Sequence, residues 1–363
     1  MTLDIRLNDQ SLREILSGPP KITDQLDAVC RTLEVTVKNV DGLENYLGQP
    51  IELWYAGKRW FMGFLMRRRI GSDGAITYVA YDPLYFLKRN PDDWYFVNST
   101  ATQAFTELAS KSGVRVASLA NTGSVFPALY YHGAEASKVG IDLLARTIKS
   151  GGNKYWFRYQ PDDGNDGLVL FEKIVPPKIW VFQVGVNLTA ASKEESLEET
   201  ATVVKLVNRE TGKVVTKIDD ESFKKYGQLV HFEEVDKDQA DTMEARAQQL
   251  LTELNTVGVT MSAEGINPDQ VIPQLYSGDA IYVEEPVTGL VGGYYIRNVT
   301  HSFESDSLVT LSFDITTAPD VPDLTYEDAD KKPESKKDSK GDGKGVQQVY
   351  SDEMNGLIDQ YGL

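Results

Sequence analysis

Histidine and cysteine are the side chains that most readily bind metals or act as nucleophiles, and this 363-residue chain has three of the first and one of the second. His132, His231 and His301 lie roughly 100 and 70 residues apart, and none has a second ligand at metal-binding spacing. Cys30 ends an apolar-spaced stretch, which is typical of a small buried residue rather than a reactive thiol. We therefore expect neither a metal site nor a cofactor.

Acidic residues are concentrated at positions 162 to 167, in the order Asp-Asp-Gly-Asn-Asp-Gly. This run lacks the spaced ligands and closing glutamate of a calcium loop, so we predict a turn between two strands. The sequence has no Gly-x-Ser-x-Gly elbow, Walker-type phosphate loop or Gly-x-Gly-x-x-Gly motif after a strand. A glycosidase needs two carboxylates that the fold brings to about 5 to 9 Å, so a peptidoglycan-cleaving enzyme stays open as an alternative.

The net charge indicates whether the protein can bind nucleic acids. With 37 Lys and Arg against 54 Asp and Glu, the net charge is −17, which repels phosphate unless a dense basic patch is present. The one candidate is the run of three arginines at residues 67 to 69, which follows an apolar stretch and is predicted to be the exposed end of a β-strand. We expect no tight nucleic-acid binding.

The N-terminal residues and the lengths of the apolar runs bear on localisation. The first six residues lack the basic and apolar regions of a signal peptide, and no run approaches the ~18 apolar residues of a membrane span. We expect folding in the cytosol and no membrane insertion.

The elements that position these residues are mostly strands. Leu33, Val35 and Val37 alternate with polar residues, and residues 30 to 85 favour a small antiparallel barrel or sandwich. Helices are predicted from 101 to 112, behind a Thr100 cap, and from 137 to 150. The clearest helical pattern runs from Asp238 to Asn255.

An internal repeat links the two β regions. Residues 48 to 53 match residues 278 to 283 at an offset of 230, and Ser72-Asp73 matches Ser305-Asp306 at an offset of 233. A three-residue insertion in a surface loop reconciles the offsets. We interpret the match as a duplicated barrel; the alternative is that any two three-stranded meanders look alike.

These patterns predict a β-rich α+β fold with two small antiparallel β-barrel domains, an intervening α/β domain and a flexible C-terminal tail. The predicted boundaries are 1–90 for the first barrel, 91–195 for the α/β domain, 196–318 for the second barrel with an inserted helix at 238–255, and 319–363 for the tail.

The tail differs in composition from the rest of the chain. Residues 319 to 363 carry 11 Asp and Glu and 6 Lys, and the lysine-rich run within them has no apolar residue, as in a solvated tether. At the end, Met354, Leu357, Ile358 and Tyr361 fall on one face of a short predicted helix. Such a helix needs a surface, so we name these four residues as candidate partner-docking residues. Docking back on the body and fraying are the alternatives.

The order of several segments resembles the tail hub, or baseplate hub, family of contractile phage tails, of the XkdQ/YqbQ-like type found in prophages and tail-like bacteriocins. The likeness covers roughly residues 1 to 318. Its matching stretches are residues 22–27 with 32–35, 47–53 through 64, 80–82 with 85–87, 98–101, 196–206, the helix from Asp238, and 293–295 with 301–303. Such hubs are similar to the hub domains of contractile secretion spikes.

The resemblance implies a structural protein, not an enzyme, in which three chains form a ring of six barrels. This homotrimer would join the hexameric tail tube protein to a trimeric spike protein, with other baseplate or tape-measure proteins as further partners. The resemblance also implies assembly in the bacterial cytoplasm and a final place in the virion tail or a tail-like particle. Two similar barrels per chain would let three copies offer six near-equivalent surfaces.

Overall fold

The computed structural model describes residues 3–40, 46–173, 179–236, 241–268 and 274–317. The chain divides into two units at residue 325, and every described residue lies in the first of them. The predicted docking residues of the tail, Met354, Leu357, Ile358 and Tyr361, lie outside the described residues.

The first β unit contains seven strands: β1 (Leu3–Leu7), β2 (Gln10–Ser11), β3 (Lys21–Gln25), β4 (Thr32–Lys38), β5 (Pro50–Tyr55), β6 (Lys58–Ile70) and β7 (Ala75–Tyr81). They pair in the order β3-β4-β7-β6-β5-β1-β2, and every pair is antiparallel. Leu33, Val35 and Val37 of β4 are buried, because alternate residues of a strand face the core.

The middle region combines two longer helices with five strands. Its elements are α1 (Tyr85–Arg89), β8 (Pro91–Thr100), α2 (Ala101–Lys111), β9 (Val116–Leu119), β10 (Val125–Glu135), α3 (Ala136–Lys149), β11 (Tyr155–Gln160) and β12 (Gly167–Glu172). Thr100 and Gln103 form a reciprocal capping box at the start of α2, as the sequence predicts. Both predicted helices are confirmed to within one residue at each end.

The second β unit is interrupted by an insertion. Its first strands are β13 (Trp180–Gln183) and β14 (Leu188–Ser196). The insertion then contains β15 (Val203–Val207), β16 (Val214–Ile218), α4 (Asp220–Tyr226), β17 (Val230–Glu234) and α5 (Met243–Leu254). The unit ends with β18 (Gly258–Pro268), β19 (Ala280–Glu285), β20 (Leu290–Phe303) and β21 (Leu308–Thr316). Because β13 and β14 pair with β19 and β18, strand pairing extends this unit back to Trp180, before the predicted boundary at 196.

The helix predicted from Asp238 to Asn255 is shorter in the structure. α5 begins at Met243, after a turn at residues 241 and 242, while residues 238 to 240 lie outside the described part. Its buried stripe is Met243, Ala247 and Leu251, which pack on strand β15 of the inserted sheet. The helix therefore starts where its buried apolar stripe starts.

The two β units share one strand order. The first has β3-β4-β7-β6-β5-β1 and the second has β14-β18-β21-β20-β19-β13, and these counterparts also occur in the same order along the chain. One pairing differs, because β1 runs antiparallel to β5 whereas β13 runs parallel to β19. Agreement over six strands favours a duplication over the chance likeness of two meanders. The β-rich α+β fold is confirmed.

Local details match as well. Gly48 and Gly278 both have φ near +80°, at 81° and 83°, and their N–H groups donate to the carbonyls of Leu65 and Ile296 at 2.7 Å in both units. A β-bulge follows each of these acceptors, at Met66 and Arg297. Counted from the bulge, the β20–β21 hairpin is two residues longer on each arm than β6–β7. Of the three residues that the offsets require, one lies in the β19–β20 hairpin, whose turn is longer (residues 286 to 289 against 56 and 57), and two lengthen the paired arm of β20; the prediction that all three lie in a surface loop is therefore wrong.

The lengthened hairpin joins the two β units. The far half of β20 pairs with β3 of the first unit, from Asn298 opposite Gln25 to Ser302 opposite Lys21. Phe303 and Val309, at the tip of the hairpin, are buried in the core of the first unit. One sheet therefore runs through both units.

Candidate functional site at the seam between the β units

A buried ion pair lies where the first β unit meets the rest of the protein. Thr32 of β4 and Tyr81 of β7 are register partners, so the residues beside them, Arg31 and Asp82, face each other. Their side chains are 3% and 1% exposed, with 3.5 Å between Arg31 Nε and Asp82 Oδ2. The Arg31 and Leu84 N–H groups each donate to a carboxylate oxygen of Asp82 at 3.0 Å.

The Arg31 guanidinium connects three parts of the chain. Its Nη1 donates to the carbonyl of Trp60 in the first β unit at 3.4 Å, and its Nη2 donates to the carbonyl of Tyr159 in the middle region at 3.3 Å. It also lies 5.1 Å from the ring centroid of Tyr276, which belongs to the second β unit. We call this meeting place the seam, comprising Arg31, Asp82, Asp24, Tyr276, Asp279 and His301.

The second β unit contributes the opposite wall of the seam. Ser277 N donates to Asp24 Oδ2 at 3.0 Å, and Tyr276 N donates to Asp279 Oδ2 at 2.9 Å. Arg158 of the middle region lies 3.9 Å from the centroid of Tyr276 and 3.7 Å from Asp279 Oδ1. Residues distant in sequence therefore bind the three parts together through charge-assisted contacts.

Burial dominates the electrostatics of the seam. It raises the pKa of Asp82 to about 6, against the lowering effects of Arg31 and of two backbone N–H donors. Burial, with the nearby charge of Arg31, lowers the pKa of His301 to about 3. Burial likewise raises the pKa of the Cys30 thiol to about 12, which agrees with an unreactive cysteine.

The seam has the geometry of a structural joint. Arg31, Asp82 and His301 are each at most 3% exposed, so a polymeric substrate has no access to them. The adjoining groove between Leu26, Val29 and the helix α3 is mainly apolar. Over the described ranges, no cluster of three or more His, Cys, Asp or Glu side chains is placed to hold a metal ion.

The structure does not bring the three histidines together. His132 is exposed beside Asp93, His231 lies on β17 of the insertion, and His301 is in the seam. The Nε2 atom of His301 accepts a hydrogen bond from Leu275 N at 3.4 Å, and the His301 ring packs edge-on against Trp60.

The acidic run at residues 162 to 167 forms the predicted turn between β11 and β12. Its Asp166 accepts from Tyr159 Oη at 2.6 Å and pairs with Arg115 and Arg59 at 2.9 and 3.3 Å. This turn therefore anchors the middle region to β6.

Sequence reasoning missed the seam, because only strand register brings Arg31 next to Asp82.

The duplicated β units agree with the fold expected of a phage tail hub protein, and the comparisons with known proteins show this class. The chain belongs to the YQBQ-like family, whose model matches residues 21–316. The Bacillus subtilis phage-like element PBSX protein XkdQ is 27% identical over 303 residues, which are 81% of this chain and 90% of XkdQ. The predicted family is confirmed.

Solved structures share the fold. The 43 kDa tail protein of prophage MuSo2 from Shewanella oneidensis superposes with a TM-score of 0.60 at 15% identity, covering 88% of this chain and 99% of that one. The E. coli c3393 protein, a component of the type VI secretion system, superposes with a TM-score of 0.51 at 13% identity, covering 88% of this chain and 75% of that one.

In the described part of the chain, no helix is both long and apolar enough to span a bilayer.

Replacing Arg31 tests the buried pair. Arg31→Met leaves the Asp82 carboxylate buried without its cation, so we expect the free energy of unfolding to fall by about 3 to 5 kcal/mol in urea denaturation. Adding Asp82→Asn should recover part of the loss. The control is Arg13→Met, which breaks the exposed Arg13–Asp306 pair and should cost less than about 1 kcal/mol. Equal losses for the two arginines would contradict the role of the seam.

His301 makes stability depend on pH. Its pKa is about 3 in the folded chain against an ordinary 6.5, so below pH 6.5 the unfolded chain binds a proton that the folded chain does not. As the pH falls from 6.5 to 3, the contribution of His301 should therefore lower the free energy of unfolding by about 1.4 kcal/mol per pH unit. Asp82 acts in the opposite sense between pH 6 and 4, because its folded pKa is raised.

The measurement is urea denaturation of the wild type and of His301→Gln at pH 7, 6 and 5. The Asp82 contribution is common to both proteins and cancels in their difference. The stability of the wild type relative to the variant should fall steadily below pH 6.5, and a difference that stays constant from pH 7 to 5 would refute this assignment.

Proposed function

We propose that the chain is a structural hub that joins the hexameric tail tube to the trimeric spike as a homotrimeric adaptor. The observation that carries this proposal is the shared strand order of the two β units. A spike with three subunits and a tube ring with six do not match in symmetry. Three chains that each carry two similar units offer six near-equivalent surfaces and keep threefold symmetry.

The comparisons support a role in a tail. The fold is that of a prophage tail protein and of a type VI secretion component that itself exhibits structural similarity to the T4 bacteriophage tail proteins gp27 and gp5. We propose the tail tube protein, the spike protein and other baseplate or tape-measure proteins as partners. Assembly takes place in the bacterial cytoplasm, and the finished protein resides in the tail.

The charge suits a ring around a channel. Of the net −17, residues 319 to 363 carry −5 and the remaining chain −12. A negative channel wall repels the phosphates of DNA, so DNA slides past the hub without being held. The buried seam offers no catalytic cleft, which favours a structural role over a cell-wall hydrolase.

The copy number tests this proposal. The full chain mixed with its tube and spike proteins should elute as one complex, and light scattering should give a mass that contains three hub chains. The seam variant Arg31→Met serves as a comparison, because loosening the joint between the β units should lower the yield of the complex. A hub that stays monomeric with both partners would contradict the proposal.

We further propose that Met354, Leu357, Ile358 and Tyr361 dock on a neighbouring protein of the assembly. Deleting residues 346 to 363 should leave the thermal unfolding of the body unchanged and weaken one assembly contact by tenfold or more in pull-down titrations. Leu357→Asp should reproduce the effect, whereas Asp359→Asn, off the apolar face, should not. Unchanged assembly after the deletion would remove the docking role.

A further inference from the structure

The joint inside one chain has two complementary halves. β3 of the first unit pairs antiparallel with the far half of β20 in the second unit, with Thr23 opposite Thr300 and Asp24 opposite Val299. The Leu26 N–H donates to the carbonyl of Arg297, at the bulge, at 2.8 Å. This joint uses the edge of β20 that lies beyond the end of β19.

The strands that correspond to these two halves in the other β unit, β14 and β6, each have an unpaired edge among the residues that the structure describes. The counterpart of β3 is β14, the end strand of the sheet; its Leu188 forms a single bridge with Val184, and within the described residues Ala190 to Ser196 pair along one edge only, with β18. The counterpart of β20 is β6, whose residues 67 to 70 pair with β7 on one edge only in the described part of the chain. Each chain therefore contains one completed joint and the two unused halves of a second.

The duplication determines the register of that second joint. The bulges show that Met66 of β6 corresponds to Arg297 of β20. Through the β4–β7 and β18–β21 ladders, Leu33 of β4 then corresponds to Met261 of β18. Since Ile22 pairs with Leu33 and Lys193 with Met261, Ile22 corresponds to Lys193. Carrying over the β3–β20 register then places three residues of β14 opposite the arginines of β6, namely Glu194 opposite Arg69, Glu195 opposite Arg68 and Ser196 opposite Arg67.

The charges of the two edges are complementary in this register. Glu194 and Glu195 are exposed, as are Arg67 and Arg69. Arg68 is half-buried, and its Nε atom is buried without a hydrogen-bond partner among the described residues. Directly opposite carboxylate and guanidinium groups stabilise a strand pair, and each face of the ladder receives one such pair.

We infer that β14 of one chain pairs antiparallel with residues 67 to 70 of β6 in a second copy of this chain. The contact joins unlike surfaces, so it is heterologous, and repeating it gives a ring when the rotation between successive copies closes. It also covers two open sheet edges, which otherwise invite non-specific pairing. The inference rests on the proposed ring and names the residues that close it.

Charge reversal tests the contact in the full chain with its tube and spike proteins. Arg68→Glu with Arg69→Glu, and separately Glu194→Arg with Glu195→Arg, should each lower the fraction of three-chain complex at least tenfold. A mixture of the two double variants should regain part of the complex. Glu198→Arg with Glu199→Arg, exposed and just beyond β14, is the matched control and should behave like the wild type.

Cysteine cross-linking tests the register. Asn298 and Gln25 form a non-hydrogen-bonded pair, because Leu26 N donates to Arg297 O. Their counterparts Arg67 and Ser196 should therefore have the close spacing that a disulfide requires. In a Cys30→Ala background, Arg67→Cys with Ser196→Cys should form disulfide-linked chains on mild oxidation. Arg67→Cys with Ser192→Cys, four residues out of register, should form far fewer.

The outcomes separate the inference from the proposed function. If the reversed variants assemble like the wild type, or if the two cysteine pairs cross-link equally, the contact is overturned while a three-chain complex still supports the hub. A wild type that stays monomeric with both partners overturns both. If the Arg68→Glu/Arg69→Glu variant keeps its assembly but loses retention on a DNA column, the arginines bind nucleic acid and the inference is wrong.

Discussion

The buried Arg31–Asp82 pair is the interaction on which the arrangement of the chain depends. Two charges removed from water need an almost complete set of partners, and here the partners come from the first β unit, the middle region and the second β unit. A small rotation of one part would leave a buried charge without its partner. The angle between the β units is therefore set by electrostatics as well as by the shared sheet.

A defined angle matters because the proposed role is geometric. If three chains form a ring, the joint within each chain and the joint between chains must turn the β unit by similar amounts. The β3–β20 ladder, the tip of the β20–β21 hairpin and the seam act together to hold the first of these joints. The insertion between β14 and β18 has its own small core, so it adds a surface without disturbing the duplicated strands.

Local patterns in the sequence predict much of the fold. The alternation of Leu33, Val35 and Val37 and the Thr100 cap depend on neighbouring residues, and the structure confirms both. The seam depends on Arg31 and Asp82, 51 residues apart, and on the register of two strands, which a single sequence does not reveal. The offsets revealed extra residues but not their place in the β20–β21 arms, because an insertion changes the offset equally whether it lies in a loop or in a paired strand.

An electron microscopy map of the hub assembled with its tail tube tests the central claim most directly. The account predicts a threefold ring in which the first and second β units alternate beneath six tube subunits, with strand β14 of each chain lying beside β6 of the next. A ring of six chains that each contribute one β unit, or a single hub chain at the end of the tube, would contradict it.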